Sequence, residues 1–309
     1  MSAAAPFAFL LGLKKVLLRR TMARVYGCDV RCEMKPWGEP FTLGEIEAAL
    51  RKHEPRAITI THGETTTGLL QPMDGIGDLC RAEGRDCLLL LDTVSTLGGV
   101  PTFLDAWGVD AAWSAGQKAL GSVPGLSPIT FSDRAMARMK ALMKARAPEG
   151  PPTALDMRCW FGYLCGKNGK GAADDHKYCT TGPISQMYGL RAALVGICCE
   201  GLANVWARHA KAAEVLWDGL DKLGLEQFVA ERSLREPTLT AVKMPSEVQK
   251  RDDGAGFCAF LNTEFGMQIT PSGSTGRKKD EPYLPLEPQA SVWRIGLMGV
   301  QATEDTAAT

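Results

Sequence analysis

Two residues in the stretch DCLLLLDTVSTLGGVPTFLDAWGVDAAWSAGQKAL (86–120) have types and spacing that could do chemistry: Asp92, which closes an apolar run, and Lys118, 26 residues on in the small-residue turn Ser-Ala-Gly-Gln-Lys. A carboxylate on the end of a buried strand is costly unless a cation meets it. Lys118 is the cation at hand. The pair can be a plain salt bridge, or the amine can be a nucleophile toward a carbonyl while the carboxylate steadies a protonated nitrogen of the same ligand.

Either use requires elements that bring the two together. An apolar β-branched run, AITIT (57–61), is followed by the polar turn HGETTTG, a helix-like DGIGDLCRAEG (74–84) and the strand CLLLLD (87–92), which is a βαβ unit. Strands without apolar–polar alternation belong to a parallel sheet covered on both faces. DAAWS (110–114) and PITFS (128–132) continue that sheet, and Ser132 caps a helix running through MARMKALMKARA. The fold class is therefore α/β, and ligands of open α/β sheets gather at the carboxyl ends of strands, where Asp92 and the Lys118 turn both fall.

Further along, residues 148 to 175 are rich in Pro and Gly and read as a surface loop. Two amphipathic helices follow, ISQMYGLRAALVGICCEGL and NVWARHAKAAEVLWDGLDKLG, the second stopping at Gly224. TLTAVKMP, a helical GAGFCAFLNTEFG and the strand SVWRIGLMG form a smaller α+β unit. The expected division is an atypical N-terminal segment, 1–24, a partial large domain with a mainly parallel sheet, 25–200, and an incomplete small domain, 201–309. Before AITIT the sequence offers little that could supply further strands, so an exposed sheet edge is expected there. Thr303 and the acids after it announce a helix that stops at Thr309.

Composition excludes several classes. Thirty-five basic and 35 acidic residues balance, without long runs of one sign, so no nucleic-acid or membrane-surface partner is expected. The ten cysteines, several within apolar runs, suggest a reduced, intracellular protein. No Cys-x-x-Cys pair occurs, and Cys159, Cys165, His176 and Cys179 lack a recognised ligand spacing, so no metal is expected. GYLCGKN resembles a phosphate loop but is one residue short, with Asn168 where Ser or Thr would hold magnesium, and no G-x-G-x-x-G follows a strand. The basic, acid-free start, with Lys14, Lys15, Arg19, Arg20 and Arg24, favours a mitochondrial transit peptide over an ordinary docking helix only weakly; a peroxisomal location is the alternative, although Thr-Ala-Ala-Thr is not a Ser-Lys-Leu type signal.

The nucleophilic reading of Lys118 and Asp92 is the arrangement that pyridoxal phosphate uses: an amine for the aldehyde and an aspartate for the pyridinium nitrogen. THGETTTGLLQPMDGIGDLC, LLLLDTVSTLGGVP, SAGQKAL and KYCTTGPISQMYGLRAAL, with VWRIGLMG near the end, together resemble the class V aminotransferases of pyridoxal phosphate fold type I, in their alanine-glyoxylate (serine-pyruvate) branch, over about residues 25 to 305. By that resemblance Lys118 is the Schiff-base lysine, Asp92 the pyridinium partner and Gln117 the glutamine that contacts the phosphate. The related cysteine desulfurases have histidine at the Gln117 position. The resemblance further implies that Thr65 is a hydroxyl near the ring oxygen, that Tyr178 and Thr181 reach the phosphate of the neighbouring subunit of a homodimer, and that Arg294 holds the substrate carboxylate with its planar fork. Transamination between alanine or serine and glyoxylate or pyruvate is the implied activity.

The same resemblance implies a phosphate-binding turn and a stacking aromatic residue from a longer N-terminal part. Here GLKKVLLRR stands where the stacking tryptophan would be, with Lys15 at about that place. The expectation is a chain shortened at both ends, and the alternative to an active enzyme is a catalytically impaired isoform that keeps the fold and dimer surface.

Overall fold

The computed structural model describes residues 6–11, 22–82, 84–145, 181–252, 254–272 and 292–308. The expectation that little before AITIT could form strands is corrected by β1 (Pro6–Leu11) and β2 (Asp29–Glu33). Both join β3 (Ala57–Thr61), β6 (Leu88–Asp92), β7 (Ala111–Trp113) and β8 (Ile129–Phe131) in one six-stranded sheet of order β2-β1-β3-β6-β7-β8. β1 is thus an internal strand, with parallel neighbours on both sides. The missing-strand edge does not exist at β3. β2 itself reads Asp-Val-Arg-Cys-Glu, an alternation suited to an edge strand, with Val30 buried and Arg31 exposed.

All neighbours in this sheet are parallel except β8, which runs antiparallel to β7. Such a sheet needs cover, and α1 (Leu43–His53) and α2 (Ile76–Arg81) supply part of it. Ile46, Leu50, Ile76 and Cys80 pack with Ile58, Ile60, Leu89 and Leu91 in one core. Thr42 and Glu45 close α1 with a reciprocal capping box, which satisfies amides that the first helical turn leaves unpaired. α3 (Asp133–Ala145) starts as expected, the Ala135 amide donating to Ser132 Oγ at 3.1 Å. A two-stranded ribbon, β4 (Gly63–Glu64) with β5 (Leu69–Leu70), folds the HGETTTG turn back on itself.

Two long helices, α4 (Ile184–Glu200) and α5 (Leu202–Lys222), meet at Gly201 with a bend of 90°. Beyond them β9 (Leu239–Lys243), α6 (Ser246–Asp252), α7 (Ala255–Phe265), β10 (Thr270–Ser272), β11 (Val292–Gly296) and α8 (Glu304–Ala308) build the smaller unit. Its antiparallel sheet has the order β10-β11-β9 and packs Val242 and Trp293 with Leu220 of α5.

Candidate active site

Polar residues are rarely buried without cause, and here they collect at one place. Thr61, His62, Glu64, Thr65, Thr66, Asp92, Thr93, Ser95 and Thr96 are all buried, and all lie at or just past the carboxyl ends of β3 and β6. Asp92 is 2 % exposed. Register places it opposite Thr61 on one side and Trp113 on the other, and its Oδ1 accepts the Val94 amide at 2.8 Å. The strand end is pinned to β7 by Thr93, whose amide and hydroxyl both donate to the Trp113 carbonyl at 2.9 Å, and by Ser114, whose hydroxyl donates to the Thr93 carbonyl at 3.0 Å.

Lys118 lies on the turn that follows β7, one strand over from Asp92. That turn is closed by the Gly121 amide on the Lys118 carbonyl, 2.8 Å, and the Ser122 amide on the Gly116 carbonyl, 2.8 Å. Lys118 is half-buried and its neighbour Gln117 is exposed. Arg294, in the middle of β11, reaches from the small sheet to the β4–β5 turn: its Nη1 donates to the Thr65 carbonyl at 3.5 Å. Its Nε is buried without a hydrogen-bond partner among the described residues. Thr181 is exposed, three residues before α4, and Gln186 of that helix packs against Gly125 beyond the Lys118 turn. Tyr178, the Cys159, Cys165, His176 and Cys179 group and the GYLCGKN stretch lie outside the described residues.

His62 belongs to the same cluster, although neither its spacing nor its neighbours marks it in the sequence. Its amide donates to the Asp92 carbonyl at 2.9 Å, its Nδ1 lies 2.9 Å from Thr96 Oγ1, and its ring meets Trp107 edge-on with centroids 5.2 Å apart. Burial pushes its pKa down to about 4, so the ring is neutral near neutral pH. Thr238 was equally silent. Its hydroxyl lies 2.9 Å from the Ser95 carbonyl and 2.7 Å from Glu236 Oε1, tying the small sheet to the loop after Asp92.

A family model described as aminotransferase class-V matches residues 19–308. The chain belongs to the class V aminotransferase family. Among curated relatives it is 35 % identical over 300 residues to alanine–glyoxylate aminotransferase of Oryctolagus cuniculus, a match covering 96 % of this chain and 70 % of that one. The rat protein of the same name, from Rattus norvegicus, is 35 % identical over 302 residues, covering 97 % of this chain and 66 % of its own length. A crystal structure of alanine–glyoxylate aminotransferase from Nostoc sp. superposes with a TM-score of 0.81 at 39 % identity, over 99 % of this chain and 74 % of that one. The class V family depends on pyridoxal phosphate, and the α/β fold with its mostly parallel sheet matches class V aminotransferase structures.

Proposed function

We propose that this chain uses pyridoxal 5′-phosphate to transaminate between a small amino acid, alanine or serine, and a 2-oxo acid, glyoxylate or pyruvate. The observation that carries the reading is the placement of Asp92 and the Lys118 turn at the carboxyl ends of adjacent strands, with Arg294 reaching from the small sheet to the Thr65 carbonyl. The donor set fits the cofactor: a buried carboxylate, an amine, the Thr65 hydroxyl and an arginine with buried, unused hydrogen-bonding capacity. When bound, the cofactor supplies an aldehyde that condenses with amines and a ring that accepts electrons from the substrate carbon.

The chain's own groups then divide the work. Asp92 would favour the protonated form of the ring nitrogen, and the Lys118 amine would anchor the aldehyde and, with its Nζ free, serve as the base that accepts the substrate Cα proton. Arg294 holds the substrate carboxylate, and the planar fork orients that group as well as binding it. Thr65 and Gln117 would help hold the ring oxygen and the phosphate, and Tyr178 and Thr181 would serve the cofactor of a second copy.

A homodimer is supported by α4. No residue of that helix is buried, although it is rich in apolar side chains, and Tyr188, Ile184 and Val195 are 68 %, 57 % and 47 % exposed. Such a stripe marks an interaction surface. The chain spans 66 to 70 % of the length of these two mammalian relatives, and the impaired-isoform reading makes the opposite forecast in the same assay. With added cofactor, alanine and glyoxylate should yield pyruvate and glycine, and Arg294→Lys should raise the KM for alanine about tenfold or more through loss of the bidentate contact. Absence of any turnover by the cofactor-saturated chain would favour the impaired form.

A further inference from the structure

The turn that carries Lys118 and the turn that follows the strand of Arg294 meet at a pair of glycines. Gly121 and Gly299 both hold left-handed backbone, with φ of 73° and 64°. A β-carbon on Gly299 would stand 2.9 Å from the Gly121 Cα and 3.4 Å from its amide nitrogen, so the two backbones touch with no room for a methyl group. Lys118 is three residues before one glycine and Arg294 five before the other.

The contact is backed on every side. Ala119, buried, packs beside Gly99, where a β-carbon would lie 2.4 Å from Thr238 Cγ2, 2.9 Å from Ala119 Cβ and 3.1 Å from His209 Cδ2. From α5, Arg208 Nη1 donates to the Gly299 and Ala302 carbonyls, both at 2.9 Å, while its Nε and Nη2 hold Glu200. The Leu297 amide donates to the Thr238 carbonyl at 3.1 Å. The Gly299 turn can therefore yield only by moving the end of β11.

We propose that Gly121 and Gly299 are positioning residues for carboxylate recognition: their backbone contact sets the spacing between the Lys118 amine and the Arg294 guanidinium. This rests on the roles of Lys118 and Arg294 given above. A methyl group at 299 pushes the turn after β11 away from the Lys118 turn and carries Arg294 with it. The grip on a small monocarboxylate weakens, while the reaction of Lys118 with an aldehyde does not depend on Arg294 and is kept.

The test uses the full chain with pyridoxal 5′-phosphate and an unreactive probe, propionate, measured by calorimetry. Gly299→Ala should bind propionate about tenfold more weakly, since sub-ångström to ångström misplacements act on that scale, with Lys118 still labelled on borohydride reduction. Gly224→Ala controls for left-handed strain alone, because Gly224 has φ of 69° and nothing within 4 Å of an added β-carbon. Gly296→Ala, on the same strand as Arg294 and also in open space, controls for substitution near the arginine. Both should keep the parent affinity. If Gly299→Ala does not fold, Gly121→Ala, whose β-carbon would meet the Gly299 Cα at 3.4 Å, makes the same comparison with a smaller shift. Propionate affinity equal to that of the two controls, or Lys118 labelling lost in step with it, overturns the proposal. A parent protein that is not labelled at Lys118 overturns the functional reading first, and this inference with it.

Discussion

At the scale of single residues, Asp92 and His62 sit at the ends of adjacent strands and make different forecasts. Asp92→Asn removes the charge that would hold a proton on the ring nitrogen but keeps the size and the acceptor for the Val94 amide. Turnover should fall by at least a hundredfold with little change in thermal midpoint; unchanged turnover would remove the role. His62 reports on stability instead. Its folded pKa, about 4, is below its ordinary 6.5, so as pH falls the unfolded chain takes up a proton that the folded chain refuses. Stability should therefore decline between about pH 6.5 and about pH 4, by on the order of 3 kcal/mol at most, and be unaffected by this group above that window. Urea unfolding of His62→Gln across the same range should lack that part of the slope.

At the scale of elements, the far end of the sheet is held by a different carboxylate. Asp110, buried just before β7, accepts from Arg134 Nη2 at 2.6 Å, Ser132 Oγ at 2.9 Å and the Leu89 amide at 2.9 Å, with Arg81 Nη2 at 3.3 Å. Burial alone would raise its pKa, but the hydrogen bonds from Arg134, Leu89 and Ser132 hold it below the ordinary value. Its contribution is present at neutral pH and is lost as pH falls through that lowered value. Asp110→Asn should cost on the order of 2 kcal/mol, since the arginines it leaves are partly solvated, and the difference should shrink in acid. Chemical unfolding at the two pH values checks both statements.

The elements also show what the sequence could and could not disclose. AITIT and CLLLLD announce themselves because buried parallel strands are uniformly apolar. β1 has the same character, but basic residues follow it and make the segment read as a leader. β2 is an edge strand whose Asp29, Arg31 and Glu33 alternate with Val30 and Cys32, a signal easily missed in five residues. Asp92 and Lys118 stood out by type and place, whereas Arg294 entered only through the family resemblance. Thr238 and Gly299 were not, because each matters through a long-range contact, with Ser95 and with Gly121, that no local pattern encodes.

At the scale of the whole molecule, the proposed homodimer would use the exposed apolar side chains of α4 and Thr181 just before it. Leu194→Glu places a charge among those side chains without touching a buried residue. Each lost apolar contact is worth about 1.5 to 3 kcal/mol, so the dimer should weaken at least tenfold in sedimentation across protein concentrations. The cofactor chemistry itself rests on one amine being the reactive one. Borohydride reduction of the chain with pyridoxal 5′-phosphate, followed by peptide mapping, tests this most directly. The label should fall on Lys118, in the peptide containing SAGQKAL, and disappear in Lys118→Ala; a label on another lysine, or none at saturating cofactor, would contradict the account.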